Sequence, residues 1–253
     1  MNRKRIIPVL LLSGCGLYKT YKFKKPVYIG DPVNTIKIFN DKQVDEIILL
    51  DIECSSKKLE PKYDLIEKIA SECFVPLAYG GGVQNIDQVS TILASGIEKV
   101  SINSSLLNIN FIKEAVSQFG SQSIVASIDY KRGWFGNSIW TDGGIQKSKL
   151  SLDEMCRIIT DLNFGELLLT SMDNEGTMKG YDLKTIEIIS KKLNIPLVAN
   201  GGCASVDHML QALEQGADAV AAGSFFVFKG TRQSILVNYP EPKVLEDKVF
   251  NNL

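Results

Sequence analysis

The chain has one histidine, His208, and five scattered cysteines, Cys15, Cys54, Cys73, Cys156 and Cys203, with no CxxC pair among them. That excludes a spaced zinc site and a disulfide framework, so no metal and no cofactor is expected and the thiols read as reduced and cytoplasmic. Charge of one sign is also lacking. The 28 basic and 29 acidic residues leave a formal net charge of −1, which gives no general attraction to nucleic acid or an anionic membrane. Long apolar runs are missing too. Ile6 to Leu12, behind Arg3, Lys4 and Arg5, is too short to span a bilayer and has no small-residue cleavage pattern, so it reads as a core strand. No GxGxxG follows that strand and no acid stands where a ribose would need one, which argues against an open dinucleotide-binding sheet.

What the chain does contain is one stretch written twice. Residues 76–105 and 196–225 align without gaps, each position meeting its counterpart 120 residues later. Each copy reads as a short apolar strand, a glycine turn, a helix and a second strand: Leu77 to Tyr79 precedes Gly81-Gly82, and Leu197 to Ala199 precedes Gly201-Gly202. Asp87 and Asp207 fall near the helix starts, and Gly96 and Gly216 close the helices. The second strands begin at Lys99 and Ala219 and end in Asn103-Ser104 and Gly223-Ser224. Glycines between a strand end and a helix start let backbone approach a ligand, and the exposed N–H groups favour phosphate. The bland reading is a pair of tight turns; the duplication favours two phosphate sites.

With the rest of the chain the total comes to eight strand-helix units. Strand one is Arg5 to Leu12, strand two Glu46 to Asp51, strand five Ser123 to Asp129 and strand six Glu166 to Thr170. Helices are expected over about Pro32 to Lys42, Asp64 to Ser71, Ile109 to Phe119, Ser151 to Leu162 and Leu183 to Lys192. The tail after Phe228 adds a last helix. Between strands one and two runs a long connection, Ser13 to about Pro32, with Lys19, Lys22, Lys24 and Lys25 among Tyr18, Tyr21 and Phe23. It reads as a mobile lysine lid, an ordinary solvated loop or, least, a nucleic-acid contact. The excursion Lys131 to Lys149, with Trp134, Phe135 and Trp140, reads as a hairpin too polar for the core. Alternating strands and helices in two like halves, over 253 residues, predict a single (β/α)8 barrel domain spanning 1–253.

In such a barrel, charged or polar residues at strand C-terminal ends read as functional. Asp51, Asp129, Thr170, Ser171 and Asp173 are therefore candidates, although Asp129 also suits a helix cap. Arg5, Glu46, Lys99 and Glu166 stand at the opposite ends of strands one, two, four and six, and should converge as two cations and two anions on the barrel floor. His208, one residue past Asp207 in a helix, reads as a surface residue with no partner to make it a base or ligand.

Arg5-Ile-Ile-Pro, Leu50-Asp-Ile, Gly80-Gly-Gly, Lys99-Val-Ser-Ile-Asn, Phe119-Gly-Ser-Gln, Ser127-Ile-Asp, Leu168-Leu-Thr-Ser, Gly176-Thr, Gly180-Tyr-Asp and Asn200-Gly-Gly resemble the cyclase subunit of imidazole glycerol phosphate synthase. The resemblance covers nearly the whole chain. It implies a barrel that takes ammonia from a glutaminase docked on its N-terminal face, through a gate formed by Arg5, Glu46, Lys99 and Glu166. It also implies a ligand with two phosphates. One would lie on Gly81, Gly82, Asn103 and Ser104, the other on Gly176, Thr177, Gly201, Gly202, Gly223 and Ser224. Lys19 would be the mobile-loop lysine and Asp129 one of two catalytic carboxylates. Leu11 stands where the family has the other, and a leucine neither gives nor takes a proton. A small branch of the family is more similar, sharing the strand-one leucines, the loop Gly16 to Lys24, and Phe226-Val-Phe-x-Gly with Asn238-Tyr-Pro. Its members are associated with acetamidino modification of surface-polysaccharide sugars, where the ammonia passes to a separate ATP-using enzyme. Histidine-pathway cyclase and an inert phosphate-binding scaffold stay open as alternatives.

Overall fold

In the computed structural model, which describes residues 4–133, 136–230 and 234–253, eight parallel strands close into a barrel. The strands are β1 (Arg5–Ser13), β2 (Ile47–Asp51), β3 (Leu77–Gly80), β4 (Lys99–Ile102), β5 (Ile124–Lys131), β6 (Glu166–Ser171), β7 (Leu197–Asn200) and β8 (Ala219–Ala222). Neighbours pair in chain order, and β8 closes on β1 with Arg5 opposite Ala219. Because parallel strands are covered on both faces, they are apolar on both. Ile7, Val9 and Leu11 of β1 point inward to a column with Ile48, Ala78, Val125, Leu168 and Val198. Ile6, Leu10 and Leu12 point outward to the helices.

Local chemistry sets the helix ends. Asp31 caps the helix Pro32–Asp41 by accepting from Asn34 N–H, with proline in the first turn, and Asn108 caps Ile109–Phe119. In the repeat, Asn85 caps Ile86–Ala94 and Ser205 caps Val206–Glu214. Among the described residues no helix is long and apolar enough to cross a membrane.

Two excursions roof the C-terminal end. The connection after β1 is not an open loop: β1 runs on and pairs antiparallel with Gly16–Tyr21, which pairs in turn with Lys24–Gly30. Lys22 and Phe23 take positive φ (51° and 62°) at its tip. Lys22, Lys24 and Lys25 stay exposed, whereas Lys19 is buried. A second hairpin, Ser138–Thr141 with Gln146–Ser151, adds antiparallel to β5. It is less polar than its sequence suggests, since Ile139 is buried. Trp134, Phe135 and Arg3 lie outside the described residues. The hairpins meet at Gly144, where a Cβ would stand 3.3 Å from the Phe23 ring. A short helix, Ile52–Lys57, and a two-strand pairing of Phe228–Lys229 with Ser234–Ile235 are further elements that the sequence pattern did not announce.

Candidate functional site

At the N-terminal end the four floor charges do meet. Arg5 reaches Glu46 and Glu166 with its two terminal nitrogens. Lys99 Nζ lies 2.8 Å from Glu46 Oε1 and 3.2 Å from Glu166 Oε2. Both glutamates are buried, and burial alone would lower the Arg5 pKa. The charges and hydrogen bonds of Glu166 and Glu46 outweigh it, and the net shift is upward. Removing one member of such a set strands a buried charge at a cost of about 3–5 kcal/mol. A surface depression of ≈ 340 Å³ opens beside Arg5, Lys99 and Glu166.

At the C-terminal end lies a chamber of ≈ 330 Å³. Val9, Leu11, Leu50 and Ile52 form one wall, and Phe23, Pro26 and Ile145 of the hairpins form the roof. The other wall carries Asn103, Ser127, Asp129, Thr170, Glu175 and Asn200. Asp129 is half-buried, yet its open edge faces this chamber rather than bulk water. Burial, and then the negative charge of Glu175, push its carboxyl up to about 7 against a hydrogen bond from Thr170. Asn103 Nδ2 lies 3.3 Å from Asp129 Oδ2. Asp129 caps no helix: β5 runs past it to Lys131.

Glu175 is the site residue that the sequence reading missed. It is buried, pairs with Lys19, and its carbonyl accepts from Lys22 N–H at 2.9 Å. Lys19 is thus held under the roof rather than carried on a free lid, and the hairpin is fastened to the loop after β6. The available signal was an acid immediately before Gly176.

The two glycine turns share a packing reason. A Cβ at Gly81 would stand 2.5 Å from the Asp51 carbonyl oxygen, and one at Gly201 would stand 2.7 Å from that of Ser171, its equivalent. Beyond that they differ. Gly81, Gly82, Asn103 and Ser104 line an open cradle of ≈ 300 Å³ with Lys58 and Asp142, and Gly81, Ser101 and Asn103 border the chamber as well. Around Gly202 the chain folds on itself: Gly180 N–H donates to the Gly202 carbonyl at 2.7 Å, and Asn174 Nδ2 donates to Gly180 O at 2.9 Å. Thr177 bonds back to Asn174 O at 2.7 Å, and Gly176 lies against the Thr20 carbonyl. A Cβ at Gly223, beside buried Ser224, would meet Lys19 Nζ at 2.5 Å.

The remaining candidates scatter. Asp51 Oδ1 caps the helix Ile52–Lys57 through Glu53 and Cys54 N–H, while Oδ2 has no hydrogen bond and Lys62 Nζ lies 4.0 Å away. Thr170 lines the chamber, but Ser171 is buried behind it, and Asp173 accepts from Arg132 N–H at 2.8 Å. His208 is not a bare surface residue: half-buried, it accepts from Ala204 N–H through Nδ1 at 3.2 Å. Burial pushes the Cys54 and Cys203 thiols up to about 12, so neither is a ready nucleophile.

Comparison with known proteins shows the family. The model of the family described as "Histidine biosynthesis protein" matches residues 5–232. A Pseudomonas aeruginosa protein provisionally named imidazole glycerol phosphate synthase subunit hisF2 is 43% identical, over 97% of this chain and 99% of its own. A Vibrio vulnificus protein provisionally named as subunit hisF3 of that synthase is 44% identical, over 96% and 95%. The imidazole glycerol phosphate synthase subunit HisF of Alkaliphilus metalliredigens is 40% identical, over 89% and 91%. The chain therefore belongs to the histidine biosynthesis protein family, among its HisF-type synthase subunits.

Proposed function

We propose that this barrel is the ammonia-receiving subunit of a glutamine-dependent amidotransferase that serves acetamidino modification of a surface-polysaccharide nucleotide sugar rather than imidazole formation. The observation that carries the choice is Leu11. It lies on the apolar wall of the chamber that Asp129 also lines, where the family's chemistry asks for a second carboxylate. Losing one of two cooperating groups commonly costs several powers of ten in rate. A glutaminase docked on the N-terminal face would feed ammonia past the ring of Arg5, Glu46, Lys99 and Glu166, and a separate ATP-using enzyme would consume it. Gly81, Gly82, Asn103 and Ser104 would hold one phosphate of a small ligand. Gly176, Thr177, Gly201, Gly202, Gly223 and Ser224 would hold a second. The other ligand contacts would be Asp51, Thr170, Ser171 and Asp173.

A cyclase in histidine biosynthesis is the second reading, favoured by Asp129 and Glu175 lining one chamber with Lys19 paired to Glu175. Growth without histidine of a cell lacking its own cyclase subunit separates the two; our reading expects no restoration, and full restoration overturns it. For the gate, Arg5→Ala should leave glutaminase docking intact yet uncouple glutamine hydrolysis from product formation, while added ammonium salt still supports synthesis. Unchanged coupling would refute the channel and leave the scaffold.

A further inference from the structure

The two hairpins that roof the chamber carry charge of one sign, in a chain whose charges otherwise balance. Residues 16–30 hold four lysines and no acid, and residues 131–151 hold three lysines and one arginine against Asp142 alone. Lys19 is buried and Asp142 lines the cradle, so the charges exposed on the roof are Lys22, Lys24, Lys25, Arg132, Lys147 and Lys149. Large apolar side chains stand among them. Tyr21, Val27, Tyr28 and Ile145 are 50%, 54%, 55% and 68% exposed. The hairpins touch where Gly144 faces the Phe23 ring, which joins both sets into one surface around the chamber mouth. An apolar patch rimmed by charge marks a contact surface.

We infer that this roof is a docking surface for a protein with an acidic face. The aliphatic and tyrosine side chains form its centre and the lysines and arginines its rim, the division found at specific interfaces. Three other occupants fit less well. Steering a small phosphorylated ligand would use the lysines but would give Val27 and Ile145 nothing to do. Single-stranded nucleic acid stacks on rings, and two of the four exposed apolar residues are aliphatic. A second copy of the chain would bring like charge against like, and Lys24, Lys25 and Pro26 blunt the free edge of the strand Lys24–Gly30 against strand addition. The inference rests on the ammonia-receiving role proposed above and adds where the consumer sits. Ammonia released from an open mouth into neutral water takes up a proton and is no longer a nucleophile. A consumer seated on the roof receives it before that happens.

Photo-crosslinking in the source cells tests this first, with Lys25→benzoylphenylalanine and Lys149→benzoylphenylalanine on the roof. Phe74→benzoylphenylalanine serves the opposite end, where Phe74 is 81% exposed ahead of β3. Both roof positions should join the same ATP-binding protein, and the Phe74 position a glutaminase. By calorimetry the purified ATP-binding protein should bind the parent chain at least about tenfold more tightly than it binds Val27→Ser or the double variant Lys24→Glu, Lys25→Glu. Glutamine-driven product formation should fall with that affinity, while the urea midpoint and the binding of inorganic phosphate stay as in the parent. Roof positions that join no protein, or that join nucleic acid, overturn the inference. So does a captured protein that binds parent and variants alike. An equal loss of inorganic phosphate binding in the lysine variant would assign those lysines to the ligand and overturn it too. Normal coupling in every roof variant would remove the docking surface and leave the ammonia-receiving role standing. If the Phe74 position joins no glutaminase, that role fails, and the calorimetry still decides the docking.

Discussion

The first half of the barrel is open where the second half is filled by its own chain. At Gly81-Gly82 a cradle faces solvent and joins the chamber, whereas Gly180 and Asn174 fold onto Gly202 and Lys19 lies over Gly223. The strand ends diverge in the same direction. The first half presents Leu11 and a helix-capping Asp51, while the second presents Asp129, Glu175 and a chain of amide and hydroxyl donors. Duplicated backbone thus fixes where ligands can sit, and side chains at a few strand ends decide what each half can do with them.

The largest effect that would test this contrast is at the glycine turns. Gly202 has φ +104°, and a Cβ there would stand 2.1 Å from the Gly180 carbonyl oxygen, a backbone atom. Gly202→Ala should cost about 3 kcal/mol or more, because strain and a backbone clash coincide. Gly82→Ala, with φ +72° and 2.7 Å to Leu59 O in the exposed segment after the helix Ile52–Lys57, should cost less. Urea unfolding of both variants measures the difference, and equal costs would mean the second turn is no more filled than the first.

Leu11→Asp attacks the difference in chemistry. It puts an acid on the apolar wall and should lower stability by about 1–3 kcal/mol, as expected for a partly desolvated carboxylate without a partner. If the rest of the site is intact, turnover of the imidazole precursor with ammonium salt should rise above the parent by about tenfold or more. No gain would place the divergence beyond this one residue, and strong turnover by the parent would refute the argument from the missing carboxylate.

Asp129 predicts how stability changes with pH. Its folded carboxyl is raised from 3.8 to about 7, so the folded chain holds a proton that the unfolded chain releases. The contribution is complete below pH 4 and is lost as pH rises to about 7, after which it is flat. Asp129→Asn should remove that decline, gaining about 1–3 kcal/mol on the parent between pH 5 and pH 8. Glu175→Gln should move the Asp129 titration down, read from its carboxyl carbon resonance. Parallel stability profiles for the parent and Asp129→Asn would show that the site does not hold this proton.

Much of this was legible because apolar period and cap chemistry are local. The helix Ile109–Phe119 and the starts of β4, β7 and β8 fall where the pattern puts them. The hairpin after β1 was not legible, since lysines interrupt the alternation of Gly16 to Gly30 and its order comes from β1 and Glu175, distant in sequence. Glu175 itself sat in a loop already marked as functional. Nothing local separates an acid that pairs with Lys19 from Asp173, two residues earlier, which tethers the Arg132 backbone.

The smallest expected effect lies behind the two repeat helices, where Gln88 and His208 occupy equivalent places. Gln88 Oε1 accepts from Gln84 N–H at 2.6 Å, and His208 Nδ1 accepts from Ala204 N–H at 3.2 Å, so each side chain satisfies the same orphan donor ahead of its helix. Asn85 caps Gln88 N–H and Ser205 caps His208 N–H, but Gln88 Oε1 also accepts from Asn85 N–H at 3.3 Å and closes a capping box. Gln88, however, is buried and its Nε2 also donates to Glu60 at 2.7 Å, a tie to the segment that borders the open cradle. His208 instead lies against Gly180, on the loop that closes the second turn. Gln88→Ala should therefore cost about 1–2 kcal/mol, having lost its bonds to Gln84 N–H, Asn85 N–H and Glu60. His208→Ala should cost about 0.5–1 kcal/mol, and His208→Gln less than that because an amide oxygen can take the same N–H. Urea midpoints rank the three. If His208→Ala costs as much as Gln88→Ala, the second half depends on its histidine through the Gly180 loop, and the two helices are not held by equivalent means.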